Sequence, residues 1–257
     1  MTITAPFDAT AHDYDATFTD TLLGRWLRDI VRERIPVQAG DRVLEIGCGT
    51  GEDALWLAQK GAHITATDMS VGMLRVAEQK ASGQAVTFRQ FDVNAKETYA
   101  QWGKQTFDGV FANFGVLNCA EDLPVVAEFL SQHTTPGAWV ALVMMNPVCA
   151  WEIGWHLAKL DVRRAFRRLK PGHMAHAGSG EQIRVWYPSP GQVRRTFAPW
   201  FEHEATHAIG VLLPPSYVSH VVARYPRTFG RLAAFDRTAG TRFYNLSDHY
   251  LIVMRRR

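Results

Sequence analysis

Cysteine is scarce in this sequence, which has only Cys48, Cys119 and Cys149 among its 257 residues. An odd number of widely separated cysteines suits neither a disulfide framework nor a cysteine-rich metal site. Such usage is typical of proteins from reducing compartments. We therefore expect a cytoplasmic protein that binds no metal ion.

Long apolar runs are also missing. No stretch reaches the roughly 18 uncharged apolar residues that a membrane span requires, and residues 1–15 lack the basic and apolar regions of a signal peptide. The formal net charge is only +3, and much of the basic excess lies in residues 163–170 and 255–257. The sequence therefore predicts no membrane partner, no secretion and no general nucleic-acid surface.

The chain does contain enough apolar material for a full core, because 47% of its residues are hydrophobic and 11% are aromatic. This composition favours one large domain over residues 1–257. Short β-branched or aromatic runs alternate with amphipathic segments, and they occupy residues 43–46, 64–67, 86–91, 110–112 and 139–145. Ser70 suits the N-cap of a helix after the second run. The pattern predicts an α/β fold with a parallel sheet and helices on both faces.

A glycine-rich turn follows the first predicted strand, in the stretch VLEIGCGTGEDALWLA. Dinucleotide sites use G-x-G-x-x-G, whereas Gly47, Gly49 and Gly51 are spaced as G-x-G-x-G. The acidic residues around the turn are Glu45, Glu52 and Asp53. Three carboxylates would repel a pyrophosphate in a partly dehydrated cleft and attract a cation. The turn thus favours S-adenosylmethionine, which carries a sulfonium and an ammonium, over NAD(P).

The segment VLEIGCGTG resembles the first motif of class I S-adenosylmethionine-dependent methyltransferases. ITATDMS is similar to the family's second motif, which implies that Asp68 holds the ribose hydroxyls. FRQFDV is similar to the segment after the third strand, where Asp92 would meet the adenine amino group. FDGVFANFGVLNCAEDL resembles the fourth-strand segment, and FDATAHDYD resembles the N-terminus of small-molecule enzymes of the quinone-biosynthesis type. The likeness covers about the first 145 residues.

This resemblance implies S-adenosylmethionine as cofactor, S-adenosylhomocysteine as product, and a seven-stranded Rossmann-like methyltransferase sheet with an antiparallel last strand. A helical segment over residues 1–40 is expected to cover the cofactor. The implied cofactor-binding residues are Tyr14, Glu45, Gly47, Cys48, Gly49, Gly51, Asp68, Met69, Asp92, Val93, Asn113 and Phe114. We interpret Cys48 as a small residue that fits the loop rather than as a nucleophile.

Residues 147–190 are predicted to form a substrate lid inserted after the fifth strand. Apolar residues recur there at helical spacing, at Ile153, Leu157, Leu160, Val162, Phe166 and Leu169. The arginines of residues 163–168 fall on the other side, which we interpret as a solvated helix face rather than an anion site. An alternating run near residues 183–187 predicts a hairpin or an extended arm. Tryptophans in the lid suggest a pocket with apolar or aromatic walls.

Methyl transfer from a sulfonium mainly requires alignment of the acceptor and exclusion of water, so no catalytic residue is assigned. A hydroxyl or amine acceptor would benefit from a base near neutral pH. The candidates for the substrate pocket are His156, His173, His176 and Tyr217. Asn113-Phe114-Gly115 differs from the N-P-P-Y type sequence of enzymes that methylate planar amino groups. The favoured acceptor is a small metabolite, methylated at oxygen, nitrogen or carbon.

Three alternatives stay open from the sequence alone. One is an NAD(P)-dependent oxidoreductase, which the glycine spacing and the nearby acids disfavour. Another is a cofactor-binding protein without turnover, whose sequence would look the same around the glycine turn. The last is an enzyme that methylates RNA or protein, which a single local arginine cluster does not support. Neither the acceptor nor the oligomeric state follows from the sequence.

Overall fold

The fold is built around a seven-stranded sheet, in a computed structural model that describes residues 5–170, 172–176 and 181–257. The strands are β1 (Arg42–Ile46), β2 (His63–Asp68), β3 (Val86–Gln90), β4 (Phe107–Ala112), β5 (Thr134–Met145), β6 (His173–His176), β7 (Gln182–Val185), β8 (Phe201–Ile209) and β9 (His249–Arg256). Strands β6 and β7 form a separate hairpin. The five runs that the sequence predicts as strands lie in β1 to β5, except that Phe91 falls one residue beyond β3.

Helices alternate with the strands and pack on both faces of the sheet. They are α1 (Leu22–Arg32), α2 (Glu52–Gln59), α3 (Val71–Lys80), α4 (Leu123–Gln132), α5 (Ala150–Leu157), α6 (Val162–Ala165), α7 (Pro190–Phe197), α8 (Ser219–Arg224) and α9 (Pro226–Ala239). Ser70 caps α3 as predicted, because its side chain accepts the N–H of Met73 at 3.0 Å. Within the described ranges, no helix is long and apolar enough to cross a bilayer.

The order of the strands in the main sheet is β3-β2-β1-β4-β5-β9-β8. Strands β1 to β5 are parallel, with Val43 opposite Ile64 and Leu44 opposite Val110, whereas β9 runs antiparallel to both of its neighbours. This confirms the predicted Rossmann-like sheet with an antiparallel last strand. The carboxyl ends of β1 to β5 and the first residue of β9 therefore meet at one edge of the sheet, where open α/β sheets bind ligands.

Two hydrophobic clusters, one on each face of the sheet, hold these layers together. Alternate strand residues contribute to opposite clusters, as Val43 and Leu44 do in β1. Gly109 of β4 is required by packing, since a Cβ there would lie 2.2 Å from the indole of Trp139. Such a close approach fixes β4 against β5 in the middle of the sheet.

The segment after β5 packs differently from its prediction. The expected apolar stripe is interrupted at Leu160, which lies beyond α5, has a φ of +59° and is 91% exposed. Arg168, in contrast, is only 7% exposed, because it pairs with the buried acids Glu152 and Asp248. The interpretation of the arginine side as a solvated face is therefore wrong for Arg168.

Candidate cofactor and active site

The turn after β1 is shaped by three glycines in the left-handed region. Gly47, Gly49 and Gly51 have φ values of +69°, +53° and +81°. A Cβ on Gly47 would lie 2.3 Å from Cγ2 of Val116, so the segment after β4 requires a glycine there. A Cβ on Gly49 would meet no described atom within 4 Å. That side of the turn is open, which lets a ligand approach the backbone closely.

Asp68 ends β2 beside this open glycine. Its Oδ2 accepts the N–H of Gly49 at 2.9 Å, and its Oδ1 accepts the N–H of Ser70 at 2.8 Å. Burial raises the pKa of Asp68, although these hydrogen bonds oppose the rise. The carboxylate is thereby fixed at the edge of the sheet, and each oxygen retains a lone pair for a ligand hydroxyl.

The N-terminal segment, residues 5–21, lies over the glycine turn. The Thr50 hydroxyl donates to Oδ1 of Asp15 at 2.6 Å, which ties this segment to the turn. Burial raises the pKa of Tyr14 to about 12, and the charge of Asp68 adds to the rise. Tyr14 therefore keeps its proton at neutral pH and can donate a hydrogen bond in the neighbourhood of Asp68.

Two of the three acids around the turn are neutralised by arginines from α1. Asp53 pairs with Arg28, and Nε of Arg32 donates to Oδ1 of Asp53 at 2.9 Å. Arg32 also lies 3.3 Å from Oε1 of Glu52. Asn113 completes the group by donating to Asp53 at 2.8 Å. The expectation that Asp53 and Glu52 add free negative charge to the turn is therefore wrong, because their charges are balanced by arginines at least 20 residues away in the chain.

Glu45 is the acid that stays without such a partner. It is 2% exposed, and its Oε2 accepts no hydrogen bond from any described residue. Burial raises the pKa of Glu45 well above its usual value, and Asp53 adds to this effect while Arg28 opposes it. A buried acceptor without a donor costs about 1–3 kcal/mol. An ammonium group beside Glu45 would remove that cost, so this site fits the amino-acid end of S-adenosylmethionine.

Other predicted cofactor residues follow β1, β2 and β3 at the same edge. Met69 directly follows β2, Asp92 accepts the N–H of Asn94 at 2.8 Å, and Val93 is buried. Cys48 is 8% exposed, and burial raises the pKa of its thiol. A thiol that keeps its proton is a poor nucleophile, which agrees with the interpretation of Cys48 as a residue that fits the loop.

Phe114 connects the N-terminal segment to the start of β9. It has a φ of +47°, which is unusual for a bulky residue. Its ring meets Phe18 edge-on with centroids 5.0 Å apart, and the imidazole of His249 at 5.9 Å. The Arg28 guanidinium lies 5.1 Å from the centroid. Arg28 and His249 are not among the residues predicted from the sequence, because no motif marks them. Only the position of His249 at the start of a strand points to the ligand edge.

A buried ion cluster ties the segment after β5 to the start of β9. Arg168 donates to Oε2 of Glu152 at 2.8 Å and to Oδ1 of Asp248 at 2.6 Å. Arg167 donates to Oε1 of Glu152 at 2.8 Å. Burial opposes ionisation of Asp248, but His249 and Arg168 outweigh it and lower its pKa. The segment after β5 is thereby anchored at the ligand edge of the sheet.

Two of the predicted pocket residues come together beside this cluster. The Tyr217 oxygen lies 3.4 Å from Nε2 of His156, and the Arg167 guanidinium lies 5.5 Å from the Tyr217 ring centroid. Burial lowers the pKa of His156 and of His173, so both favour the neutral, proton-accepting form. His173 and His176 are the two ends of β6, and the side chain of His176 lies outside the described part of the chain. Their roles in a pocket stay predictions.

The strand order and the glycine turn define a class I methyltransferase fold, and solved structures agree. The CcbJ methyltransferase of Streptomyces caelestis superposes with a TM-score of 0.63 at 19% identity, covering 98% of this chain and 98% of that chain. An S-adenosylmethionine-dependent methyltransferase from Mesorhizobium loti gives a TM-score of 0.58 at 15% identity, covering 91% of this chain and 97% of that chain. At these identities the likeness shows the fold.

Sequence comparison then gives the family. The family described as "Methyltransferase domain" matches residues 43–137. The demethylmenaquinone methyltransferase of Clavibacter sepedonicus is 35% identical over 191 residues, which is 72% of this chain and 76% of that protein. The chain belongs to the class I S-adenosylmethionine-dependent methyltransferases. It is an enzyme that methylates a small molecule, which confirms the predicted activity.

Alanine at two of the three glycines of the turn, Gly47 and Gly49, is expected to separate folding from cofactor binding. Gly47→Ala places a methyl group against Val116 and should lower the melting temperature clearly. Gly49→Ala meets no described atom, so it should cost only the roughly 1–2 kcal/mol of a left-handed alanine. Its methyl group would instead occupy the open side and weaken S-adenosylhomocysteine binding at least about tenfold, or 1.4 kcal/mol. Calorimetric titration and thermal unfolding of both variants check this, and unchanged affinity of Gly49→Ala would contradict it.

Proposed function

We propose that the carboxyl edge of β1 to β4 holds S-adenosylmethionine with its ammonium at Glu45, its ribose at Asp68 and its adenine at Asp92. The carboxylate of Glu45 is the observation that carries this assignment, because its Oε2 is a buried acceptor that finds no donor among the described residues. Asp68 supports it, since this acid is already fixed beside the open glycine. When bound, the cofactor supplies a methyl group on a positively charged sulfur.

The turn and its surroundings would complete the cofactor site. Tyr14 would close over the cofactor from residues 1–40, and Asn113 and Phe114 would border its methionine part. The backbone of the turn would let the cofactor lie close to Gly49. The other residues of this proposed site are Gly47, Cys48, Gly51, Met69 and Val93.

We infer that the acceptor is a hydroxylated aromatic ring of the quinone class. The relatives named demethylmenaquinone methyltransferase support this acceptor. The segment after β5 supports it too, since Trp151 and Trp155 pack with ring centroids 5.3 Å apart and Tyr217 lies beside His156. Residues 147–190 would act as the substrate lid, excluding water while the acceptor is aligned with the methyl group.

We further propose that the reaction proceeds without a metal ion and takes place in the cytoplasm. The described residues bring together no group of three or more His, Cys, Asp or Glu side chains suited to a metal. The three cysteines are free thiols, which supports a reducing compartment.

Thermal unfolding with ligands tests the cofactor. S-adenosylhomocysteine at about 100 times its Kd should stabilise the protein by about 2.7 kcal/mol, whereas NAD(P) should leave the melting temperature unchanged. Stabilisation by NAD(P) alone would favour the oxidoreductase alternative.

A turnover assay tests the acceptor. Incubation with S-adenosylmethionine and a demethylated naphthoquinol should release S-adenosylhomocysteine. Tight cofactor binding without release, over a range of small-molecule acceptors, would favour a binding protein without turnover.

A further inference from the structure

We propose that His249, acting with the charge of Asp248, is the base that receives the proton of the methyl acceptor. This inference rests on the proposed function, because it concerns an acceptor that must lose a proton when it is methylated. It adds a catalytic residue that no motif of the sequence marks.

His249 lies at the ligand edge of the sheet. It is the first residue of β9, where it pairs with Met145 at the end of β5 and with Ile209 at the end of β8. Because β9 is antiparallel to β5, its first residue stands at the carboxyl end of the parallel strands. The imidazole meets the ring of Phe114 edge-on at 5.9 Å, next to the proposed methionine part of the cofactor site.

The two ring nitrogens of His249 have different surroundings. Nδ1 is buried and lies 3.0 Å from Oδ2 of Asp248, although the angle there is not that of a hydrogen bond. Nε2 makes no hydrogen bond within the described chain and, unlike Nδ1, is not fully buried. The side chain is 12% exposed. Nε2 is therefore the nitrogen that an acceptor can reach.

The charged groups near His249 come from the ion cluster beside β9 and from α1. Asp248 is 4% exposed and uses its other oxygen, Oδ1, to accept from Arg168. Arg168 is balanced in turn by Glu152, and Arg167 also pairs with Glu152. Arg28 lies on the Phe114 ring but is paired with Asp53. Oδ2 of Asp248 makes none of these ion pairs and instead faces Nδ1 of His249 at 3.0 Å. The carboxylate would therefore hold the ring with Nε2 turned towards the acceptor, and its negative charge would lie beside the proton that the ring receives.

The proposed step balances as follows. The acceptor oxygen or ring carbon forms the bond to the methyl carbon, and the electron pair of the broken carbon–sulfur bond remains on sulfur. The proton that the acceptor loses goes to Nε2 of His249. After product release, the imidazolium returns this proton to water. No oxidant or reductant is required.

Chemical modification of the wild-type enzyme tests the placement without an acceptor. Diethyl pyrocarbonate acylates accessible neutral imidazoles, and mass mapping identifies the modified residue. S-adenosylhomocysteine at about ten times its Kd should slow modification of His249 about tenfold, because the ligand covers this edge. Modification of the exposed His63 should be unaffected. Equal rates at His249 with and without the ligand would overturn the proposal whatever the acceptor is.

His249→Gln tests the proton transfer, with His207→Gln as the matched control. His207 is a half-buried imidazole in the adjacent strand β8, opposite Leu251. With a demethylated naphthoquinol, His249→Gln should lower kcat roughly 10²–10⁴-fold and remove the acidic limb of the pH profile, with S-adenosylhomocysteine affinity retained. His207→Gln should retain the wild-type kcat and the acidic limb of the pH profile.

The outcomes separate this inference from the proposed function. If the wild-type enzyme turns over the quinol and His249→Gln retains its kcat and its acidic limb, the inference is wrong and the function stands. If no quinol is methylated but S-adenosylhomocysteine protects His249, the acceptor class is wrong and the placement of the base is supported.

Discussion

Arg168→Met is expected to lower the free energy of unfolding by about 3–5 kcal/mol, because it leaves buried acids without their cation. Arg168 donates to Glu152 at 2.8 Å and to Asp248 at 2.6 Å, and those side chains are 1% and 4% exposed. Arg168 also donates to the Asp248 carbonyl at 3.0 Å, so this backbone acceptor would lose one of its donors as well. Denaturant unfolding at neutral pH measures the effect.

The pH dependence of that loss gives a second readout. Burial opposes ionisation of Glu152, yet Arg168 and Arg167 outweigh it and lower its pKa, and the pKa of Asp248 is lowered too. An acid with a folded pKa below its unfolded value of about 4 stabilises the fold above that value. This stabilisation is lost as the pH falls through the folded pKa. The difference between wild type and Arg168→Met should therefore be largest near neutral pH and shrink in acid.

Arg164→Met is the matched control for this prediction. Arg164 is in the same segment after β5, but its side chain is 69% exposed and its ion pair with Asp161 spans 3.4 Å. Exposed ion pairs contribute about 0–1 kcal/mol. Comparable destabilisation by Arg164→Met and Arg168→Met would contradict the importance of the buried cluster.

The sheet and the glycine turn could be predicted because their signals are local. Residues 43–46 and 64–67 form short apolar runs within one βαβ step, and Asp68 falls at the end of the second run. The left-handed φ values of Gly47 and Gly51 follow from the tight connection between strand and helix. Periodicity and turn chemistry act over a few residues, so the sequence displays them directly.

The charge balance of the site could not be predicted, because it depends on contacts between distant segments. Arg28 meets Asp53 across 25 residues, and Arg168 meets Asp248 across 80 residues. Helical periodicity identifies the buried side of a helix only when its apolar residues face the core. Here the buried acids draw Arg168 inward, and the apolar Leu160 is left in solvent.

Glu45→Gln is expected to weaken S-adenosylmethionine binding about 100-fold, or about 2.7 kcal/mol, and to stabilise the free enzyme. Glu45 is 2% exposed, and its Oε2 has no hydrogen-bond partner in the part of the chain that the structure describes. The cofactor ammonium would lose a charged partner, whereas the free protein would lose a buried carboxyl that resists ionisation. Calorimetric titration gives the affinity, and thermal unfolding without ligand gives the stability.

The pH dependence of both quantities has a definite sign. Burial raises the pKa of Glu45 above its unfolded value of about 4.3, so the unfolded state releases this proton first. The stability of the free enzyme should therefore fall as the pH rises between the two values, while cofactor affinity rises as Glu45 ionises. Glu45→Gln should abolish the pH dependence of both the stability and the affinity.

Glu52→Gln is the control for this prediction. Glu52 is 38% exposed and pairs with Arg32, so its substitution should change the cofactor affinity little. Equal losses of affinity in the two variants would place the ammonium elsewhere.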